Sequence, residues 1–231
     1  MMKKNYINKK KILIVAAHPD DAVLGCGGTI TKSTAQGCKV YIVFITNGVA
    51  SRNRKKRDIK HEVNERKVAA IKACKIMGAE KPNFLDFQDN QLDKYPLLKI
   101  VKTVEKFIKK YSPSVIFSHY SGDLNIDHQI VNKAVVTACR PQKQNTVKNL
   151  LFFEVPSSTE WQITKPFNPN WFEDISSVIK KKLNALQAYK RELRKWPHPR
   201  SKKGVEVLAL WRGATIGVEA AEAFILGRKI S

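Results

Sequence analysis

Apolar runs alternate with longer amphipathic stretches along this chain. Residues 12–17 (ILIVAA) form a continuous apolar run of strand length, and 25–36 follow as a short helix stopped by Gly37. Residues 39–45 are rich in Val and Ile and predict a second strand. A helix over 59–77 ends at Gly78, and 83–87 predict a short strand. Residues 96–110 carry apolar side chains at Leu97, Ile100, Val101, Val104 and Ile108, the spacing of one helical face. A strand over 115–118, a helix over 128–139 and a strand over 150–155 come next. Residues 183–194 and 205–225 predict two late helices. Strands that alternate with helices imply an α/β fold, a mostly parallel sheet with helices on both faces. Such sheets place their sites at the carboxyl ends of the strands. No linker or repeat divides the 231 residues, so the expectation is a single domain with a basic N-terminal extension over 1–10. The least regular stretch, 156–171, reads as a β-excursion or an active-site loop.

Composition narrows the picture. No apolar run is long enough to span a membrane, and the run after the basic N-terminus is too short and too polar for a signal peptide. The cysteines, Cys26, Cys38, Cys74 and Cys139, are scattered, with no C-x-x-C pair. Free thiols in the cytoplasm are the expectation, and a zinc knuckle is not. The net charge is +22, with basic runs over 52–57, 180–182 and 190–195. Three readings fit that charge: a solvated lysine-rich surface, attraction of anionic small molecules such as phosphorylated or nucleotide-linked sugars, or a nucleic-acid surface. Few aromatics interleave the basic runs, which argues against a platform for single-stranded nucleic acid.

Candidate chemistry clusters at two strand ends. A dinucleotide fingerprint needs G-x-G-x-x-G. Here Gly25 and Gly27 are followed by Ile30, so the fingerprint fails and the glycines point to close packing. Before them stands His18-Pro19-Asp20-Asp21. His18 and Asp21, on a tight turn, can converge on one metal as imidazole nitrogen and carboxylate oxygen, a donor set that suits zinc. Asp20 can face the open side of that metal as a general base. A third ligand is needed, and His128, after the 115–118 strand, is at the correct end of the sheet. The alternative is structural: Asp20 or Asp21 capping a helix, and His128 an ordinary surface histidine.

The motifs "AAHPDDAVLGCGG" and "GDLNIDHQIVNKAV" resemble the two metal motifs of the PIG-L (LmbE-like) N-acetylglucosaminyl deacetylases. The segments "ERKVAAIKACKIMGAE", "LDFQDNQL" and "HPRSKKGVEVLALWRGATIGVEAAEAFILGR" extend the resemblance over almost the whole chain. It implies a Rossmann-like fold and a zinc-dependent hydrolase that removes the N-acetyl group from an amino sugar. His18, Asp21 and His128 match the zinc ligands, and Asp20 the general base. Asp127 matches the acidic residue beside the last ligand, an expected orienting group for the site. Arg66 and Asp89 match positions associated with sugar binding, and His198 and Arg200 fall in a C-terminal motif that closes over the site. Many relatives read H-P-D-H where this chain reads Asn125-Ile126-Asp127-His128. Asn125 can donate a hydrogen bond, to the oxyanion for instance, but cannot transfer a proton at neutral pH. Either Asp20 handles both proton transfers or another group helps; His198 is the candidate, against a reading in which it only shapes its Pro-flanked turn. Two alternatives stand beside the deacetylase: a related zinc amidase acting on a thiol-sugar conjugate, and a basic nucleic-acid-binding protein. Members of the family often assemble, so a homo-oligomer is a further expectation.

Overall fold

The computed structural model describes residues 10–48 and 56–231. Most of the expected N-terminal extension, and most of the basic run over 52–57, lie outside the described residues.

One seven-stranded sheet organises the chain, in the order β3-β2-β1-β4-β5-β7-β6. Strands β1 (Lys11–Ala16), β2 (Lys39–Thr46), β3 (Asn83–Phe87), β4 (Val115–His119) and β5 (Asn149–Phe153) run parallel. The last strand, β7 (Ala221–Lys229), is antiparallel to both β5 and β6 (Trp171–Asp174). The helices are α1 (Asp21–Ala35), α2 (Lys56–Met77), α3 (Leu97–Tyr111), α4 (Ile126–Ala138), α5 (Ile179–Leu186) and α6 (Lys202–Ala214). Alternation along β1 shows how the two faces fill. Ile12, Ile14 and Ala16 join a core with residues of α1, α2, α5 and α6, while Leu13, Val15 and Ala17 join one with α3 and α4. From β1 the sheet extends to β2 on one side and to β4 on the other, so the loops after β1 and β4 diverge around a crevice at their carboxyl ends.

Two late helices differ from expectation. Residues 183–194 are not one helix: α5 runs Ile179–Leu186, and a 3-10 turn (Gln187–Tyr189) follows. That turn buries Tyr189, whose hydroxyl donates to Pro19 O at 2.6 Å. Helix 205–225 is a larger error. Helix α6 stops at Ala214, Gly217 takes φ +78°, and 221–229 form β7. The alanines and glutamates there favour a helix locally, but pairing with β5 on one side and β6 on the other overrides propensity. The first helix begins at Asp21 rather than 25 and breaks at Cys26 (φ −145°). Gly25 and Gly27 serve packing, as expected, with a Cβ on Gly27 3.1 Å from Val23 Cγ2, and Gly28 is tighter still, since its Cβ would lie 2.7 Å from Ile175 side-chain atoms.

Candidate metal centre and active site

The turn after β1 is tight. Asp21 N–H donates to His18 O at 3.2 Å, and His18 N–H donates back to Asp21 Oδ2 at 2.8 Å. This brings the His18 ring over the Asp21 carboxylate. His128, in the first turn of α4, arrives from β4. The result is a triangle of donor atoms: His18 Nδ1 to Asp21 Oδ2 is 3.1 Å, His128 Nε2 to Asp21 Oδ2 is 3.3 Å, and His18 Nδ1 to His128 Nε2 is 3.2 Å. Ligands at tetrahedral angles and 2.0–2.1 Å from zinc stand about 3.3 Å apart, so the three side chains fit such an ion without rearrangement. All three are buried. His128 is not a surface histidine, and Asp20, although it occupies the N-cap position of α1, makes no side-chain capping bond.

The far ring nitrogens are held by carboxylates, as metal-bound imidazoles require. His18 Nε2 lies 3.0 Å from Asp89 Oδ1 and 3.2 Å from Asp127 Oδ2. Asp127 also accepts the Asn90 and Leu92 N–H groups at 2.7 and 3.0 Å, which ties the loop after β3 to α4. His18, Asp89 and Asp127 form a second group whose atoms converge tightly enough to hold a metal. It uses Nε2 of the shared imidazole and lacks a second nitrogen donor. His128 Nδ1 lies 3.0 Å from Asp123 Oδ1. Asp123 in turn accepts hydroxyl bonds from Ser158 and from Thr159, the latter at 2.5 Å.

Charge follows geometry. Burial alone would raise the Asp21 carboxyl, but His128 and His18 outweigh it and hold the group well below the usual carboxylate range. Burial works against charge on His128, yet Asp21 and Asp123 overcome it and push the metal-free imidazole up to about 9. Asp123 is held near 2: burial opposes this, and the His128 ring with the two hydroxyls prevails.

Asp20 is buried beside the triangle, and its Oδ2 meets Arg200 Nη1 at 3.3 Å. Arg66, on α2, forms a double contact with Glu192, Nη2 to Oε2 at 2.6 Å and Nε to Oε1 at 3.2 Å. Burial disfavours its charge, but Asp20 and Glu192 overcome that and raise its pKa. His198 Nδ1 accepts the Arg200 backbone N–H at 3.1 Å. Asn125 is the N-cap of α4. Its Oδ1 accepts from Asp127 and His128 N–H, and its Nδ2 donates to Asn90 Oδ1 at 2.9 Å. At the position where the resemblance implies a histidine, this chain has a helix cap.

Sequence reasoning missed Asp123, Ser158, Thr159 and Glu192. It also missed His119, fully buried, which stacks on His128 with centroids 3.9 Å apart and accepts the Ala17 N–H at 2.8 Å on Nε2. Burial and the neighbouring His128 keep His119 well below the usual imidazole range, so it stays neutral. A histidine at a strand end beside Asp123 was the available signal.

The sequence profile of the PIG-L family, described as GlcNAc-PI de-N-acetylase, matches residues 13–139. The chain belongs to the PIG-L family. De-N-acetylation is hydrolysis of an amide C–N bond. The Escherichia coli protein named uncharacterized deacetylase YaiS is 29% identical over 190 residues, 79% of this chain and 92% of that one. Diacetylchitobiose deacetylase of Thermococcus kodakarensis is 28% identical over 92% of this chain and 81% of its own. A 4-oxalmesaconate hydratase of Pseudomonas putida is also 28% identical, over 82% of this chain and 77% of its own. Among solved structures, N,N'-diacetylchitobiose deacetylase from Pyrococcus horikoshii superposes with a TM-score of 0.77 at 20% identity, covering 99% of this chain and 87% of that one. Among the described residues no helix is long and apolar enough to cross a membrane.

Proposed function

We propose that this PIG-L protein is a zinc-dependent deacetylase that hydrolyses the N-acetyl group of an N-acetylglucosamine-type amino sugar or its conjugate and releases acetate. The observation that carries the reading is the convergence of His18 Nδ1, Asp21 Oδ2 and His128 Nε2 with the buried Asp20 carboxylate beside them. When bound by these three side chains, zinc acidifies water and polarises a carbonyl oxygen. Asp20 takes the proton of the attacking water and returns it to the departing amine as the C–N bond breaks. Arg200 orients the Asp20 carboxylate through the 3.3 Å contact. His198, with Nδ1 occupied by the Arg200 N–H, presents Nε2 as the second donor, toward the carbonyl oxygen. Arg66 and Asp89 position the sugar, Arg66 while braced by Glu192.

The positive charge favours an anionic, phosphate-bearing substrate and acts from the cytoplasm, where the free thiols fit. A thiol-sugar conjugate is the nearest alternative substrate, a homo-oligomer is the expected assembly, and nucleic acid is the poorest match. A second reaction class has one specific support, the hydratase among the relatives. Water addition to a carbon–carbon double bond would use the same metal and base.

The test is direct. Purified protein should contain about one zinc per chain and release acetate from N-acetylglucosamine derivatives. Asp20→Ala should keep the metal and lose turnover, and His18→Ala should lose the metal. His198→Ala should lower kcat more than it raises KM. Full activity in Asp20→Ala overturns the mechanism, unchanged kcat in His198→Ala removes that histidine from the chemistry, and hydration of an unsaturated acid without acetate release overturns the deacetylase reading.

A further inference from the structure

Trp161 stands half exposed at the end of a hydrogen-bonded turn. The turn over 155–161 is braced by its own atoms. Val155 N–H donates to Thr159 Oγ1 at 2.8 Å, Thr159 N–H returns to Val155 O at 3.0 Å, and the Ser157 N–H reaches Glu160 Oε1 at 2.6 Å. The same turn is bolted to the metal centre, because the Ser158 and Thr159 hydroxyls hold Asp123 against His128. On its other side the indole meets the His198 ring, centroids 5.6 Å apart and planes at 76°. His198 is two residues from Arg200, whose guanidinium touches Asp20. Trp161 thus stands between the turn that fixes a metal ligand and the loop that orients the base, with 50% of its surface open.

Large aromatic side chains carry most weight when buried, and an indole left half open beside His198 is poised for a partner. Its face carries the negative part of the ring quadrupole and matches the outward C–H groups of a sugar ring. Two residues along from the His198 that the indole meets, Arg200 Nε is buried and has no hydrogen-bond partner among the described residues. Such a donor is costly to leave unmade and suits a hydroxyl or ring oxygen.

We propose that Trp161 is the platform for a second sugar ring, next to the amino sugar whose amide is cleaved, with Arg200 Nε donating to an oxygen of the bound sugar. The proposal rests on the deacetylase reading and narrows it to a substrate of at least two rings.

Binding separates the two claims. Zinc-loaded Asp20→Asn protein, which does not turn substrate over, is titrated with N-acetylglucosamine and with N,N'-diacetylchitobiose. The disaccharide should bind more tightly. Adding Trp161→Ala should weaken disaccharide binding by about 10- to 100-fold, the range for rings stacked on aromatic side chains. It should leave the single sugar within about twofold, and Trp161→Phe should restore most of the loss. Disaccharide affinity that Trp161→Ala does not change, an equal loss for both sugars, or no disaccharide binding overturns the platform. Wild-type protein that binds the disaccharide through Trp161 yet releases no acetate leaves the platform standing and overturns the deacetylase reading.

Discussion

Lys182 Nζ and Glu222 Oε1 meet at 2.6 Å inside the break of α1, and both side chains are buried. The pair supplies what the break lacks. Where a helix is interrupted, carbonyls before the gap and N–H groups after it lose their partners. Lys182 donates to Leu24 O at 2.9 Å, and Glu222 accepts from Gly28 N, Thr29 N and Thr29 Oγ1 at 2.6–2.8 Å. The first segment, which carries Asp21, is thereby spliced to the second.

Removing one partner should leave a buried charge unanswered. Glu222→Leu is expected to cost about 3–5 kcal/mol in urea unfolding. The double variant Lys182→Met/Glu222→Leu should recover most of that loss, because an apolar pair of similar volume needs no compensation. A Glu222→Leu protein within 1 kcal/mol of wild type (~1 being the size of an ordinary hydrogen bond) contradicts the splice.

Gly25 sits where α1 presses on the sheet. A Cβ there would fall within the van der Waals shell of the buried Phe153 ring and 3.1 Å from Glu154 O. Neither the ring nor the backbone can swing away. Gly25→Ala should therefore destabilise by about 1–3 kcal/mol despite the better helix propensity of alanine, and a thermal melt at or above the wild-type temperature would refute the close approach.

Much of this was legible in the chain. Strands β2 and β3 follow from their apolar runs, and α3 from its stripe of Ile100, Val101, Val104 and Ile108, because local pattern and tertiary burial agree there. The HPDD and DH motifs marked both halves of the group that could hold a metal, each at a strand end. Illegible were the groups that act across long separations. Asp123 with Ser158, and Lys182 with Glu222, are pairs 35 and 40 residues apart whose partners only the fold reveals. Residues 221–229 failed for the opposite reason, since their local preference is helical and only their neighbours make them a strand.

The cysteines separate by burial. It pushes the Cys74 and Cys139 thiols up to about 12, and Cys26, which also faces Glu222, well above the usual range. Thiolate is the reactive form. At pH 8, iodoacetamide should modify only Cys38, which is partly exposed, and should modify all four once the protein is unfolded. Peptide mass mapping reads the result, and rapid native labelling of Cys74 or Cys139 would contradict it.

Asn125 illustrates a substitution of role. Its side chain caps α4 beside His128 and bonds to the loop after β3. Asn125→Ala should cost about 1 kcal/mol, and Asn125→Asp, which keeps the capping oxygen, much less. Unfolding of the metal-free protein measures the cap apart from the chemistry, and equal losses in both variants would assign the effect to the Nδ2 bond with Asn90 instead.

Asp123 gives the sharpest test of the proposed metal centre, because it touches a proposed ligand, His128, rather than the ion. Its Oδ1 lies 3.0 Å from His128 Nδ1, and Ser158 and Thr159 hold the carboxylate from behind. The carboxylate fixes which His128 nitrogen faces Asp21 and increases the basicity of that nitrogen. Asp123→Asn keeps the shape and removes the charge. Replacement of such a supporting group lowers metal affinity by about 10- to 100-fold, and that loss is the expected outcome in competition with a chromogenic zinc chelator. Ser158→Ala, which removes one of the two hydroxyls behind the carboxylate, should lower affinity less, since Thr159 still holds Asp123. If Asp123→Asn binds zinc as tightly as wild type, the stacking on His119 and the contacts with Asp21 and His18 suffice to orient His128, and the carboxylate charge has no part in the site.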